Sequence, residues 1–134
     1  IFNFQEKTNL LNLCSNYRLK FINRFGLSFM NDFKNVNVDK LANIYFEGKV
    51  ISRNIFLIDG SKKTLGVMLE GEYEFNTESR EFMEIISGKL YLKLEGDYNW
   101  KLITEGMDFY IPKNSTFKLK VLELVNYTCT YFNS

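Results

Sequence analysis

The 134-residue chain contains no histidine. That excludes imidazole acid–base catalysis, a Ser-His-Asp triad and every His-ligated metal site. Proton transfer is left to carboxyls, Tyr, Lys, Cys or the substrate itself, while a metal held only by carboxylates is not excluded. Proline occurs once, at Pro112, and cysteine twice, at Cys14 and Cys129. Two distant cysteines do not make a disulfide framework, so free thiols in a reducing, cytoplasmic compartment are expected. No apolar run approaches the ~20 residues that span a bilayer. No basic stretch followed by an apolar one reads as a secretory signal. Neither charge sign dominates, with 17 basic against 16 acidic residues. A nucleic-acid polymer is therefore not an expected partner, and neither is a membrane.

What the chain does have is apolar and aromatic surface: 46% hydrophobic residues, including 13 Phe and 8 Tyr. That suffices for one domain with one core. Residues 1–29 stand apart, rich in Asn, Leu, Phe and basic residues with Glu6 as their one acid. Leu10, Leu13 or Cys14, Tyr17 and Phe21 recur at roughly helical spacing, which allows a short amphipathic helix. It would serve as a membrane or partner helix or simply pack on the domain. Met30 is a candidate start, making 1–29 an extension of a domain over 30–134.

From Val36 onward the pattern is short β runs. Ala42 to Phe46 and Lys49 to Ile58 are rich in β-branched and aromatic residues, and Asp59-Gly60 signals a turn. Thr64 to Asn76 is one run pinched at Gly71. Glu81 to Ile86 ends at Ser87-Gly88, followed by alternating Leu90, Leu92 and Leu94. Trp100 to Ile103, Phe109 to Ile111, Phe117 to Val121 and Val125 to Tyr131 complete the set. Strands this short at near-regular spacing indicate an all-β sandwich or barrel.

Two spacings resemble the cupin signature. Glu81 is followed by six residues and then Gly88, and Gly106 by five residues and then Pro112. The histidine positions of those motifs fall near Phe75, Thr77 and Phe117, and a glycine is replaced by Asn114, so the usual cupin metal ligands are gone. The resemblance implies a single cupin-type, jelly-roll-like β-barrel without that metal site. A narrower resemblance covers Asn31 to Ser134. The blocks YFEGKVISR (Tyr45 to Arg53), TLGVMLEGEYEFNT (Thr64 to Thr77), EFMEIISGKL (Glu81 to Leu90), FYIPKNSTFKLKV (Phe109 to Val121) and YTCTY (Tyr127 to Tyr131), with Trp100, are similar to the small bacterial pyrimidine/purine nucleoside phosphorylases. This implies phosphorolysis of several ribonucleosides to free base and ribose 1-phosphate, by a homodimer, with inorganic phosphate as co-substrate and no cofactor.

Phosphorolysis needs a held phosphate, a gripped ribose and a neutralised leaving base. For phosphate, Arg53 offers a guanidinium fork and Lys49 a second cation, with Ser115 or Ser87 as hydroxyl donors. Arg53 and Lys49 read equally well as solvated strand-face charges. Glu81 is the leading catalytic carboxylate: the cupin register points it inward, where burial raises its pKa unless a cation such as Arg53 opposes it. It could equally be a structural carboxylate. Tyr73, Phe75, Thr77, Phe117 and Tyr131 are candidate substrate contacts, the aromatics because every base offers a π-face. Aromatics at alternating spacing also commonly form core. If Tyr73, Phe75 and Thr77 face inward, Glu72 and Glu74 face outward. Glu84 has the opposite parity to Glu81, and Cys129 reads as an inert core thiol. Two other readings compete with the phosphorylase: a non-catalytic module binding a nucleoside or sugar, and a metal-free sugar isomerase or epimerase.

Overall fold

The computed structural model describes residues 31–133. The expected extension over 1–29, with its helix, lies outside the described residues. From Asn35 the chain forms one compact unit built from strands. They are β1 (Asn37–Val38), β2 (Asn43–Tyr45), β3 (Val50–Phe56), β4 (Lys62–Met68), β5 (Gly71–Asn76), β6 (Arg80–Leu94), β7 (Lys101–Thr104), β8 (Asp108–Ile111) and β9 (Thr116–Phe132). One 3-10 turn, Phe46–Gly48, interrupts them, and there is no α-helix among the described residues.

The long antiparallel pair β6–β9 is the spine. Along β9, the segment Val125 to Thr130 pairs with β4, and Thr116 to Val121 pairs with β5. Along β6, Glu81 to Glu84 pairs with β8, and Lys89 to Leu92 with β7. The spine bends midway, so one sheet supplies two facing halves. Val50, Met68, Met83, Ile85, Leu90, Leu92, Ile103, Leu119 and Val125 pack between them.

The bend is built by changes of parity. Inward residues of β6 are odd-numbered before the bend (Met83, Ile85) and even-numbered after it (Leu90, Leu92). The switch is a bulge, with register shifts between Ile85 and Leu90. Gly88 sits there at φ +98°, and a Cβ on it would collide with the Leu124 carbonyl oxygen, so only glycine fits. Ser87-Gly88 was expected to end a strand; it is instead a bulge within one 15-residue strand. Likewise the two expected runs at Phe117 to Val121 and Val125 to Tyr131 are one strand, β9. The β4–β5 edge switches parity in the same way across Leu69 to Gly71, so Tyr73, Phe75 and Thr77 turn inward while Glu72 and Glu74 are exposed.

The all-β, cupin-type expectation holds, with one correction. The sheet runs β1-β3-β4-β9-β6-β7, with β2 on β3, β5 on β9 and β8 on β6, and no ladder joins its ends. It is not closed into a hydrogen-bonded barrel. Bending brings the two halves together through side-chain packing, which requires no closing ladder.

Candidate active site

Where the halves face each other they leave a cavity of about 430 Å³. Three adjacent strands supply its polar floor. β4 brings Lys62, β9 brings Tyr127, Cys129 and Tyr131, and β6 brings Glu81 and Met83; β3 adds Ser52 at the side. Ladder register fixes this arrangement: Glu81 lies directly opposite Tyr131, Met83 opposite Cys129, and Gly66 between Ser52 and Tyr127. Gly66 has to lack a side chain, since a Cβ there would lie 2.9 Å from the Tyr127 hydroxyl and 2.6 Å from the Ile51 carbonyl. The opposing wall is aromatic. Phe75 and Phe117 stack at 5.4 Å and 20° between planes, and Tyr45 meets Phe75 edge-on at 6.1 Å. Asn76, Glu78, Ser79 and Asn133 also line the cavity.

Glu81 is the half-buried acid of this cavity; Glu78, which also lines it, is exposed. Burial pushes its carboxyl above the ordinary range; a hydrogen bond from Cys129 and the charge of Lys62 oppose that shift without cancelling it. The Cys129 thiol donates to Glu81 Oε2 at 3.5 Å. The thiol of Cys129 and the phenols of Tyr127 and Tyr131 are all pushed up, first by burial. They therefore stay protonated through the physiological range and act as donors, not bases. The Tyr131 hydroxyl shares a 3.2 Å hydrogen bond with Thr64 Oγ1, which pins the ring beside Glu81. Lys62 Nζ sits 5.0 Å from the centre of that ring.

The cavity thus unites four of the residues singled out from sequence: Glu81, Phe75, Phe117 and Tyr131. Five others lie elsewhere. Arg53 alternates with inward Ser52, so the pleat turns it to the outer face, where it donates to the Lys40 carbonyl at 3.2 Å. Lys49 follows the 3-10 turn and is exposed. Ser115 is held in the β8–β9 turn, donating to the Pro112 carbonyl at 2.8 Å. Thr77 is buried and donates to that same carbonyl at 2.6 Å. Tyr73 is buried in the core, its hydroxyl donating to the Leu69 carbonyl at 2.7 Å. Glu84 lies on the outer face, accepting from Thr128 Oγ1 at 3.1 Å, with Lys63 at 3.9 Å. Ser87 Oγ accepts from Asn126 Nδ2.

Lys62, Ser52 and Tyr127 join the cavity without having been singled out from sequence, while Cys129 is the buried core thiol that the sequence suggests and also borders the cavity. Tyr127 and Cys129 share the parity of Tyr131, a signal that was available. Lys62 carries none, being one of two lysines after a turn. A second concavity, about 360 Å³, is lined by Glu74, Lys93, Glu95, Asp97 and Lys118 among others and has no aromatic wall.

Comparison with known proteins agrees with the quoted blocks. A family described as pyrimidine/purine nucleoside phosphorylase matches residues 40–131. A protein of that name from Chlorobium chlorochromatii is 50% identical over 102 residues, covering 76% of this chain and 98% of its own length. Another, from Geotalea uraniireducens, is 50% identical over 104 residues, covering 78% and 100%. Among solved structures, a protein of unknown function from Acinetobacter sp. ADP1 matches with a TM-score of 0.74 at 40% identity, over 75% of this chain and 98% of that one. The EutQ protein of Clostridium difficile, at 21% identity and a TM-score of 0.52 over 61% of this chain and 67% of that one, bears on the fold alone. With its strands, blocks and most of its length in common with these relatives, the chain belongs to the pyrimidine/purine nucleoside phosphorylase family.

Proposed function

We propose that this protein is a nucleoside phosphorylase of broad base specificity. It cleaves purine and pyrimidine ribonucleosides with inorganic phosphate to free base and ribose 1-phosphate, a pentosyl transfer that makes it a glycosyltransferase. The observation that carries the reading is the position of Glu81, a half-buried carboxyl in a cavity whose facing wall is the stacked Phe75–Phe117 pair. The cavity volume falls within the roughly 300–1,000 Å³ of small-molecule sites.

The base lies against the partly buried ring of Phe75, where stacking tolerates one ring or two. Glu81, whose carboxyl burial pushes up, donates to the departing base as the C1′–N bond breaks and its electron pair leaves on the base nitrogen. A phosphate oxygen bonds to C1′ from the opposite face, and the proton this phosphate gives up restores Glu81. The phenols of Tyr127 and Tyr131 and the Ser52 hydroxyl offer hydrogen bonds to ribose and to charge developing on the base.

We read the reaction as needing no metal or organic cofactor. The chain has no His, and among the described residues no cluster of three His, Cys, Asp or Glu is placed to hold an ion. The buried free thiol of Cys129 suits the reducing cytoplasm. No helix among the described residues is long and apolar enough to cross a membrane. A homodimer is in keeping with the outward apolar residues Ile44, Leu65 and Leu69 beside Ile51 and Val67. The isomerase and binding-module readings have no observation of their own in their favour.

The test is release of free base from uridine, cytidine, adenosine, guanosine and inosine by chelator-treated protein, with and without phosphate. Phosphate-dependent release from several of them is expected. No release from any by folded protein sinks the reading.

A further inference from the structure

We infer that Lys62 is the anchor for the phosphate co-substrate, holding it two strands across the cavity floor from the proton donor Glu81. The inference rests on the phosphorolysis reading above and names the phosphate subsite within it.

Lys62 is the one cationic side chain among the described residues that line the cavity. The cations that the sequence suggested for this task, Arg53 and Lys49, are exposed elsewhere, and Arg53 faces the other side of its strand. Lys63, the next residue, points outward to Glu84 at 3.9 Å. The Lys62 ammonium has no carboxylate within ion-pair distance among the described residues; its partner is the face of Tyr131, 5.0 Å away. An exposed ammonium on a flexible stem lining the cavity, unneutralised, is a point-charge site for a phosphate.

Its place on the sheet suits the reaction. Lys63 pairs with Thr130, which sets Lys62 beside Tyr131 on β9, and Tyr131 is directly opposite Glu81 on β6. Cation, phenol and acid thus stand on three consecutive strands. At ~4.8 Å between strands, the cation and acid are roughly 10 Å apart at their backbones. Displacement at C1′ needs the entering oxygen and the departing base on opposite faces of the ribose, and this separation leaves room for the sugar between them. The electrostatics agree: Lys62 is a charge that Glu81 senses, and it favours the ionised carboxylate. A bound phosphate offsets that charge, so its arrival leaves Glu81 better able to keep the proton it must donate.

The experiment measures initial rates of uridine and inosine cleavage at varied phosphate for the full chain and for Lys62→Gln, Lys62→Arg and Arg53→Ala, with calorimetric titration of inorganic phosphate into the full chain and Lys62→Gln. Lys62 is exposed, so its variants keep the fold. Loss of a charge-assisted contact should raise the phosphate KM about tenfold or more in Lys62→Gln, with the nucleoside KM changed less than about twofold, and Lys62→Arg should recover much of the loss. Phosphate heat should fall in parallel. Should the wild type bind phosphate, lose that binding in Lys62→Gln, yet release no base, the subsite stands and the phosphorolysis reading fails. Should the wild type release base with phosphate while Lys62→Gln keeps its phosphate KM, or Arg53→Ala alone raise it, phosphorolysis stands and the Lys62 assignment is overturned. Equal phosphate binding by wild type and Lys62→Gln, or none by the wild type, also overturns it.

Discussion

The Cys129 thiol donates to Glu81 Oε2 at 3.5 Å on the cavity floor, although the ladder sets Tyr131, not Cys129, directly opposite Glu81. The contact is diagonal, between β6 and β9 positions two residues out of register, and it favours the ionised carboxylate. Cys129→Ala removes that donor and raises the Glu81 pKa further. The alkaline limb of kcat/KM should move to higher pH in Cys129→Ala, while Cys129→Ser, which keeps a donor, should not show this rise. A limb that stays put in Cys129→Ala would detach Glu81 from the acid role.

Glu81 itself should trade stability for activity. Its pKa is raised in the folded state, so between its unfolded value and that raised value the folded protein binds more protons than the unfolded chain. Stability then falls as pH rises through this window. Glu81→Gln removes the ionisation, so it should gain stability over wild type at neutral pH and show no such gain well below pH 4.5, the ordinary value. Its kcat should fall about 10²- to 10⁴-fold if Glu81 is the general acid. Denaturant titrations at two pH values, beside steady-state rates, measure both effects.

Phe75 is only partly buried, stacked on the buried Phe117. Phe75→Ala should therefore raise the KM of purine and pyrimidine nucleosides alike, by about tenfold, while leaving the phosphate KM near its starting value. A rise confined to purines would mean that pyrimidines find another wall. Phe117→Ala is a poorer probe, because truncating a buried Phe costs about 3–5 kcal/mol of stability.

Thr77 separates structural from substrate contact. Its hydroxyl donates to the Pro112 carbonyl at 2.6 Å and accepts from the Ser115 N–H at 3.0 Å, tying β5 to the β8–β9 turn. Thr77→Val takes the acceptor from the Ser115 N–H and one of two hydroxyl donors from the Pro112 carbonyl, at a cost of about 1–3 kcal/mol. Chemical denaturation should report that loss, with both KM values within about twofold of wild type below the unfolding temperature. A large change in nucleoside KM without loss of stability would return Thr77 to the substrate site.

Much of this molecule can be read along the chain. Alternation of apolar and polar residues is a local property, so most strands, the Asp59-Gly60 turn and the opposite facing of Tyr73, Phe75 and Thr77 against Glu72 and Glu74 were visible, though not which set is inward. The lack of His ruled out imidazole chemistry outright. The spacing of Glu81 to Gly88 pointed to the carboxylate that the cavity contains. The blocks from Tyr45 to Tyr131 pointed to the family.

Tertiary structure decided the rest, because facing is relative and depends on partners far away in sequence. Gly88 looks like a strand end until Leu124 is seen against it; the bulge keeps β6 continuous and reverses its parity. Arg53 and Ser52 are adjacent, and only the packing of β3 on β4 shows that serine takes the cavity and arginine the outer face. Thr77 faces inward as its parity requires, yet its hydroxyl is consumed by a turn that arrives 35 residues later. Lys62 is unremarkable in sequence and becomes the cavity's cation because β9 sets Tyr131 between it and Glu81. Alternation fixes which residues share a face; which of those faces meet, and which charges meet with them, is settled when β4, β9 and β6 pair and bend.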